Sequence, residues 1–291
     1  MSSTLLSDVS NQVQKFWAPM FMKELRQQLL LGALVNRDYQ GEIKNLGDQV
    51  YVSQINAPNG ELRTAGTDAD SFNSETLSTT RVAIQANKRA VASFEIEDLV
   101  QIQSQIGAQD SEIRASLMYA VEKQVNEYLK SLVSPSTSAP DHLINSVTDF
   151  NASQLSAARI LAGQAKWDKS KPWYCLVDPS YNGDLLNAAT LTSSDYVGQD
   201  MPVIGGQMAQ KRFGFNILED NSFSTDRALL FHPDFMHMVM QQEARFKVSD
   251  LHALGKFGYK VSVDLVFGAA LGIQGASKHI VVSAASSGST L

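Results

Sequence analysis

Five histidines are the side chains best suited to acid–base or metal chemistry, and they lie at positions 142, 232, 237, 252 and 279. No two of them have the HExxH spacing of a zinc site, and a lone cysteine cannot complete a cysteine-rich one. His232 and His237 are five residues apart, so they do not share one face of a helix. We therefore predict structural histidines, with no bound metal and no cofactor.

Three other polar groupings have an ordinary structural interpretation. Glu95, Glu97 and Asp98 stand at a predicted junction of strand and helix, where negative charge favours the helix dipole without any substrate. Asp68-Ala69-Asp70 lacks the remaining ligands of an EF-hand calcium loop. Gly205-Gly206 lacks the Lys-Ser/Thr of a phosphate-binding loop and predicts a tight turn. These patterns predict no catalytic residue.

The composition is typical of a folded protein with one large domain or two modest ones. Hydrophobic residues make up 44% of the 291 residues, and the formal charge is -6. An acidic chain is poorly suited to wrapping nucleic acid, because phosphate binding depends on clustered Lys and Arg. No signal peptide or window long enough for a membrane span is visible, which predicts a cytosol-like compartment. Cys175 lies in the apolar run Trp173–Val177, which predicts a buried strand and a core thiol.

Residues 1–46 predict an amphipathic N-terminal arm. Large apolar residues recur at spacings of three and four between Phe16 and Leu30, and they include Trp17 and Phe21. Pro19 and Gly32 interrupt this pattern, so we expect short helices. Such an arm packs on a protein surface, either that of its own subunit or that of a neighbour.

Residues 47–94 predict an extended β-hairpin loop. Val50 and Val52 alternate with polar neighbours, and residues 81–86 alternate in the same way. Between these strands, residues 61–80 contain only Leu62, Phe72 and Leu77 as large apolar side chains. Because an isolated two-stranded ribbon is marginally stable in water, we expect an adjacent protein surface to hold this one. The predicted inter-subunit contacts are Trp17, Phe21, Glu61, Arg63, Asp68, Asp70 and Arg81.

The rest of the chain predicts an α+β fold. Apolar residues recur at steps of three and four between Ile113 and Leu132, which predicts one long helix over residues 110–133, within a domain of residues 95–140. Residues 141–255 alternate short helices and strands and predict a second domain, with a helix from His232-Pro233 to Met240. Residues 256–291 return to period two. We expect their strands, including one at 279–282, to join the domain of the long helix.

This order of elements resembles the major capsid proteins of tailed bacteriophages of the Hong Kong 97 type. Two stretches carry the resemblance most specifically: residues 228–233 resemble the strand-to-helix entry near the end of the axial domain, and residues 258–268 resemble the return to the peripheral domain. In that family, subunits form the hexamers and pentamers of an icosahedral shell around packaged double-stranded DNA. The resemblance implies a peripheral domain with a spine helix at 95–140, an axial domain at 141–255 and a structural, non-enzymatic role in the virion.

The resemblance also implies partners, namely a portal and DNA that is enclosed without sequence-specific binding, with assembly in the host bacterial cytoplasm and no membrane. The arm begins close to Met1, without the long scaffolding segment of some relatives, so we expect a separate scaffolding protein. Some relatives cross-link the extended loop through a lysine, but no lysine occurs between Lys44 and Lys88. We therefore expect a noncovalent shell, which allows a decoration or cement protein.

Two other functions stay open at the level of sequence. An encapsulin-like nanocompartment would have the same fold, and particle diameter and DNA content distinguish it from a virion. A soluble α+β enzyme with an unrecognised site would form a small oligomer and contain a concave pocket with perturbed titrating residues.

Overall fold

The structure, a computed structural model, describes residues 27, 29–39, 49–62, 74–98, 110–192, 211–252, 255–285 and 291. Within these ranges, the α-helices are α1 (Leu31–Leu34), α2 (Asp110–Ser131), α3 (Ala152–Gln164), α4 (Pro179–Asn187) and α5 (Ala189–Thr192). The strands are β1 (Gln49–Ile55), β2 (Thr79–Gln85), β3 (Lys88–Glu97), β4 (Leu143–Ile144), β5 (Trp173–Val177), β6 (Phe215–Glu219), β7 (Arg227–Phe231), β8 (Met236–Asp250), β9 (Gly258–Leu271) and β10 (His279–Ser283). This mixture of helices and sheets confirms the predicted α+β class.

The long helix α2 confirms the prediction from the apolar stripe. Leu117, Val121, Val125 and Leu129 recur every four residues along it and are all buried. They belong to one core together with alternate side chains of β9, such as Val263. The apolar stripe of the helix, with period 3.6, therefore packs on the apolar face of the strand, with period two.

The sheet under α2 has three antiparallel strands in the order β3-β9-β8. Ala92 of β3 lies opposite Val263 of β9, and Phe246 of β8 lies opposite the same valine. The register between β8 and β9 shifts between Met240 and Arg245, where the ladder is irregular. In its first half, the central strand β9 thus carries core side chains such as Val261 and Val263 on one face and Lys260, Ser262 and Asp264 on the other.

A second, mixed sheet has five strands in the order β4-β10-β7-β5-β6. It separates two cores, because successive residues of one strand point to opposite faces. In β7, Leu229 packs with the core of α2, whereas Leu230 packs with the helices α3 and α4. The latter core includes Phe150 stacked on Tyr181 and the edge-to-face pair of Trp167 and Trp173.

Two sequence predictions in this region are wrong. The predicted helix from His232 to Met240 is a single 3-10 turn, Pro233–Phe235, followed by strand β8. The predicted strand near residues 279–282 exists as β10, but it pairs with β7 and β4 and does not join the sheet of the long helix. The reason is its burial on both faces: every residue of β10 is buried, and a strand between two cores is the place for such a sequence.

The described end of the N-terminal arm packs on its own subunit. Leu31 is fully buried in the core of α2. The backbone of Asn36 accepts a hydrogen bond from Met238 N–H at 2.9 Å, and its side-chain amide donates to Asp234 Oδ1 at 2.6 Å. Residues 31–39 therefore fix the turn that connects the two sheets. In the described ranges, no helix has the length and apolar character needed to cross a membrane.

Candidate assembly surfaces

The hairpin of β1 and β2 is paired in register but is exposed over most of its length. Gln49 lies opposite Gln85 and Ile55 opposite Thr79, which confirms the two strands predicted from period two. Towards the distal end of both strands, almost every residue is exposed. Four large apolar side chains project from the hairpin half exposed or more, namely Tyr51 at 53%, Ile55 at 65%, Leu62 at 101% and Leu77 at 76%.

The root of the hairpin packs on the three-stranded sheet. Val50, Ile84 and Ala86 form a small buried cluster with Val239 of β8. The backbones approach closely at Gly268 of β9, where a Cβ atom would lie 1.8 Å from the carbonyl oxygen of Gln85. Only glycine leaves room for this approach. The chain therefore fixes the direction in which the hairpin leaves the body.

Beyond the strands, polar side chains take the place of a core. Asn56 donates through Nδ2 to Ser78 Oγ at 3.1 Å. Asn59 donates through its backbone N–H and its side-chain amide to the two carboxylate oxygens of Glu75, at 3.0 and 2.9 Å. These hydrogen bonds lower the pKa of the Glu75 carboxyl. Past Ile55, these polar contacts thus join the two arms in the described residues 56–62 and 74–78, all of which are exposed.

Two of the seven predicted contact residues lie in the described ranges. Arg81 places its guanidinium carbon 4.9 Å from the centre of the Tyr51 ring, so its charge is presented on the exposed hairpin face. Glu61 is exposed near the distal end. The others, Trp17, Phe21, Arg63, Asp68 and Asp70, lie outside the described residues, and the contacts of all seven with other subunits stay predictions.

A charged cluster on the three-stranded sheet escaped sequence reasoning. Asp264 of β9 lies between Arg89 of β3 and Arg245 of β8, with closest distances of 2.7 and 2.8 Å. Hydrogen bonds from Arg245 and then Arg89 lower the pKa of the Asp264 carboxyl. The sequence does show a polar Asp264 within an alternating strand. It could not show which side chains pair with Asp264, because both arginines are distant from it in the chain or lie on another strand. Both arginines are largely exposed, so the cluster presents net positive charge.

An apolar patch lies at the far end of the same sheet. Phe94 on β3 is 46% exposed, and Phe246 and Val248 on β8 are 38% and 57% exposed; these two strands flank β9. Arg114 of α2 places its guanidinium carbon 5.5 Å from the centre of the Phe246 ring. The body therefore carries both charged and apolar exposed surfaces, as assembly contacts require.

Several groups with potential for chemistry are engaged in ion pairs or buried in the core. The Glu95 carboxylate lies 3.5 Å from the Lys256 ammonium and 3.4 Å from that of Lys260. Cys175 is fully buried, which raises the pKa of its thiol. Burial also lowers the pKa of His232 and of His237, so both are neutral core side chains. No cluster of metal-ligating side chains occurs among the residues that were placed.

A sequence model described as phage capsid protein matches residues 108–274, which is more than half of the chain. The chain belongs to this family. No curated protein matches it. As a capsid protein, it is a structural component of the bacteriophage virion.

Solved structures agree with the family at the level of fold. The capsid protein is similar to a structure from Mycobacterium phage Che8, at 16% identity and a TM-score of 0.75, over 94% of this chain and 97% of that one. It is also similar to the capsid structure of cyanophage P-SCSP1u, at 14% identity and a TM-score of 0.71, over 94% of both chains. The cyanophage Pam1 capsid matches at 12% identity and a TM-score of 0.68, over 96% and 98%. The likeness spans nearly the whole of each chain.

Proposed function

We propose that this capsid protein forms the hexamers and pentamers of an icosahedral shell around double-stranded phage DNA, and that each subunit braces the hairpin of a neighbour. The hairpin carries the proposal, because it exposes four large apolar side chains, and because polar contacts join its two arms in the described part beyond Ile55. An isolated ribbon of this kind gains stability only from a surface that covers it. The chain has no catalytic role in this proposal.

We assign two domains to the subunit, one for each of its two larger sheets. We assign the three-stranded sheet and α2 to a peripheral domain, and the five-stranded sheet with α3 and α4 to an axial domain at the capsomer centre. The axial domain then includes β10. A separate scaffolding protein, a portal and a decoration or cement protein are partners implied by the resemblance to tailed-phage capsids, and the DNA is enclosed without sequence-specific contacts.

The test replaces apolar hairpin side chains that are already exposed in the subunit. Ile55→Ser and Leu77→Ser together should leave the urea midpoint of the unassembled chain unchanged but lower the yield of shells in negative-stain microscopy and sedimentation. Ile160→Ser is the matched control, because Ile160 on α3 has a similar exposed fraction of 59% and lies outside the hairpin. Normal shell yield from the hairpin variant would contradict the proposed contact.

Charge and covalent structure provide two further checks. Arg81→Glu should weaken assembly, in the same assay, if the exposed guanidinium meets a neighbour.

Denaturing electrophoresis of boiled particles should give one band near 31.8 kDa, since the noncovalent shell leaves no cross-linked multimers. A ladder of multimers would refute the noncovalent shell, and particles that contain a protein cargo instead of DNA would favour the nanocompartment.

A further inference from the structure

A cavity of about 220 Å³ lies where β5 and β6 begin, on the side of the five-stranded sheet that carries α3. Its lining is strongly basic: Arg159, Lys169, Lys171, Trp173, Lys211 and Gly214. Four of these six residues are cationic, in a chain of net charge -6. Like charges repel one another, so such a concentration is costly unless an anion balances it.

The base of this pocket is rigid. Trp173 is buried, donates through Nε1 to the carbonyl oxygen of Asp168 at 2.7 Å, and lies edge-to-face against Trp167 at 5.3 Å between ring centres. The guanidinium carbon of Arg159 lies 4.2 Å from the centre of the Trp173 ring. On its other side is Gly214, which has a φ of +90°, and a Cβ there would lie 3.5 Å from Arg159 Nη1. The guanidinium is therefore held in place before any ligand arrives.

The charge of the pocket is only partly neutralised. Lys171 is committed to Asp234, with its ammonium 2.9 Å from Oδ1. Arg159, Lys169 and Lys211 form no ion pair with any carboxylate in the described ranges. The nearby Asp168 carboxylate accepts hydrogen bonds from Ser170, which lower its pKa and keep it ionised. Within the part of the chain that the structure describes, at least two positive charges of the pocket are therefore not balanced by a carboxylate.

We propose that this pocket binds a phosphoryl group. A planar guanidinium presents a fork of donors that matches phosphate oxygens, and flanking lysines add point charges. The arginine is preorganised on Trp173 and so loses little side-chain freedom on binding. The phosphoryl group comes either from free phosphate or from the backbone of nucleic acid, and neither source requires base recognition. This inference is independent of the proposed hairpin contact.

The binding test uses the full-length chain below its assembly concentration. Inorganic phosphate and a short DNA duplex are titrated separately, with binding followed by equilibrium dialysis and by tryptophan fluorescence, to which Trp173 contributes together with Trp17 and Trp167. Arg159→Gln and Lys211→Gln should each weaken binding by about tenfold, the loss expected for one charge-assisted hydrogen bond. Lys247→Gln is the control, because it removes the same charge at an exposed position on β8. Lys211→Gln guards against misfolding, since Lys211 is exposed and its replacement leaves the core intact.

The outcomes separate the sources of the ligand. Phosphate binding that the pocket variants weaken supports the site, and duplex binding whose salt slope falls by about 1 in Lys211→Gln identifies the nucleic acid backbone as the source. Equal binding by the wild type, the pocket variants and Lys247→Gln would overturn the proposal, as would no binding at all. A peptide of residues 66–80, which is acidic, serves as competitor. If it binds the pocket and phosphate does not, the site takes protein carboxylates and the proposal is wrong.

Discussion

The buried histidine of β10 makes the stability of the subunit depend on pH. His279 is fully buried, and its Nδ1–H donates to the carbonyl oxygen of Gly275 at 2.7 Å. Burial lowers the pKa of His279 from 6.5 to about 4. The folded subunit therefore binds fewer protons than the unfolded chain, so the free energy of unfolding falls as pH decreases from 6.5 towards 4. The full loss is about 3 kcal/mol, of which about 2 kcal/mol is reached by about pH 5.

The measurement is the urea midpoint of the unassembled chain, followed by fluorescence, at about pH 7.5 and about pH 5. The His279→Gln variant keeps a side-chain donor for Gly275 but cannot be protonated. Between the two pH values, the free energy of unfolding of the wild type should therefore fall by about 2 kcal/mol more than that of the variant. A constant offset from imperfect packing of glutamine does not change this difference. His252→Gln is the control, because His252 is exposed. Parallel pH dependences for the wild type and His279→Gln would refute the reasoning.

Four further substitutions test the packing and one helix cap directly, each by its urea midpoint. Gly268→Ala should destabilise the subunit by about 1–3 kcal/mol and speed proteolysis of the hairpin, because the new methyl group meets the backbone of Gln85. Gly163→Ala, with open space around it in α3, should instead be neutral or stabilising by up to about 1 kcal/mol. Leu129→Ala should cost about 2–5 kcal/mol, since Leu129 is fully buried on the core face of α2. Asn151→Ala should cost about 1 kcal/mol, because it removes the capping box of α3; an unchanged midpoint in any destabilising case would contradict the contact it removes.

Local periodicity was sufficient to predict a helix or strand from the sequence where that element has one buried face. The stripe of α2 and the alternation of β1, β2 and β9 each have a polar side and an apolar side, and these elements were predicted within a few residues. The segment after His232-Pro233 is different. Met236 and Met238 pack with the core of α2, whereas Val239 packs under the hairpin root, so both faces of β8 are buried here. A strand covered on both sides loses the alternation that distinguishes it from a helix.

Partners that are distant in sequence could not be predicted from one chain. β10 is buried at every residue and has an apolar centre of Ile280, Val281 and Val282, so its sequence does not say which of the two sheets it joins. Arg89 and Asp264 are 175 residues apart, and they meet only because β3 and β9 pair in one particular register. The basic pocket likewise collects Arg159 from α3, Trp173 from β5 and Lys211 from the segment before β6. Each of these sites depends on tertiary pairing, which a local pattern does not specify.

The energetics of the hairpin explain why the proposed contact favours a closed shell over a dimer. Burying a large apolar side chain fully is worth about 1.5–3 kcal/mol, and the four on the hairpin are half exposed or more, so covering them gains several kcal/mol. That gain is comparable to the roughly 4–15 kcal/mol that association costs in lost motion. A single hairpin contact is therefore marginal. In a ring, the closing subunit makes two such contacts for one association step, and every subunit both gives and receives a hairpin. Closed symmetry is thus what makes contacts of this size sufficient.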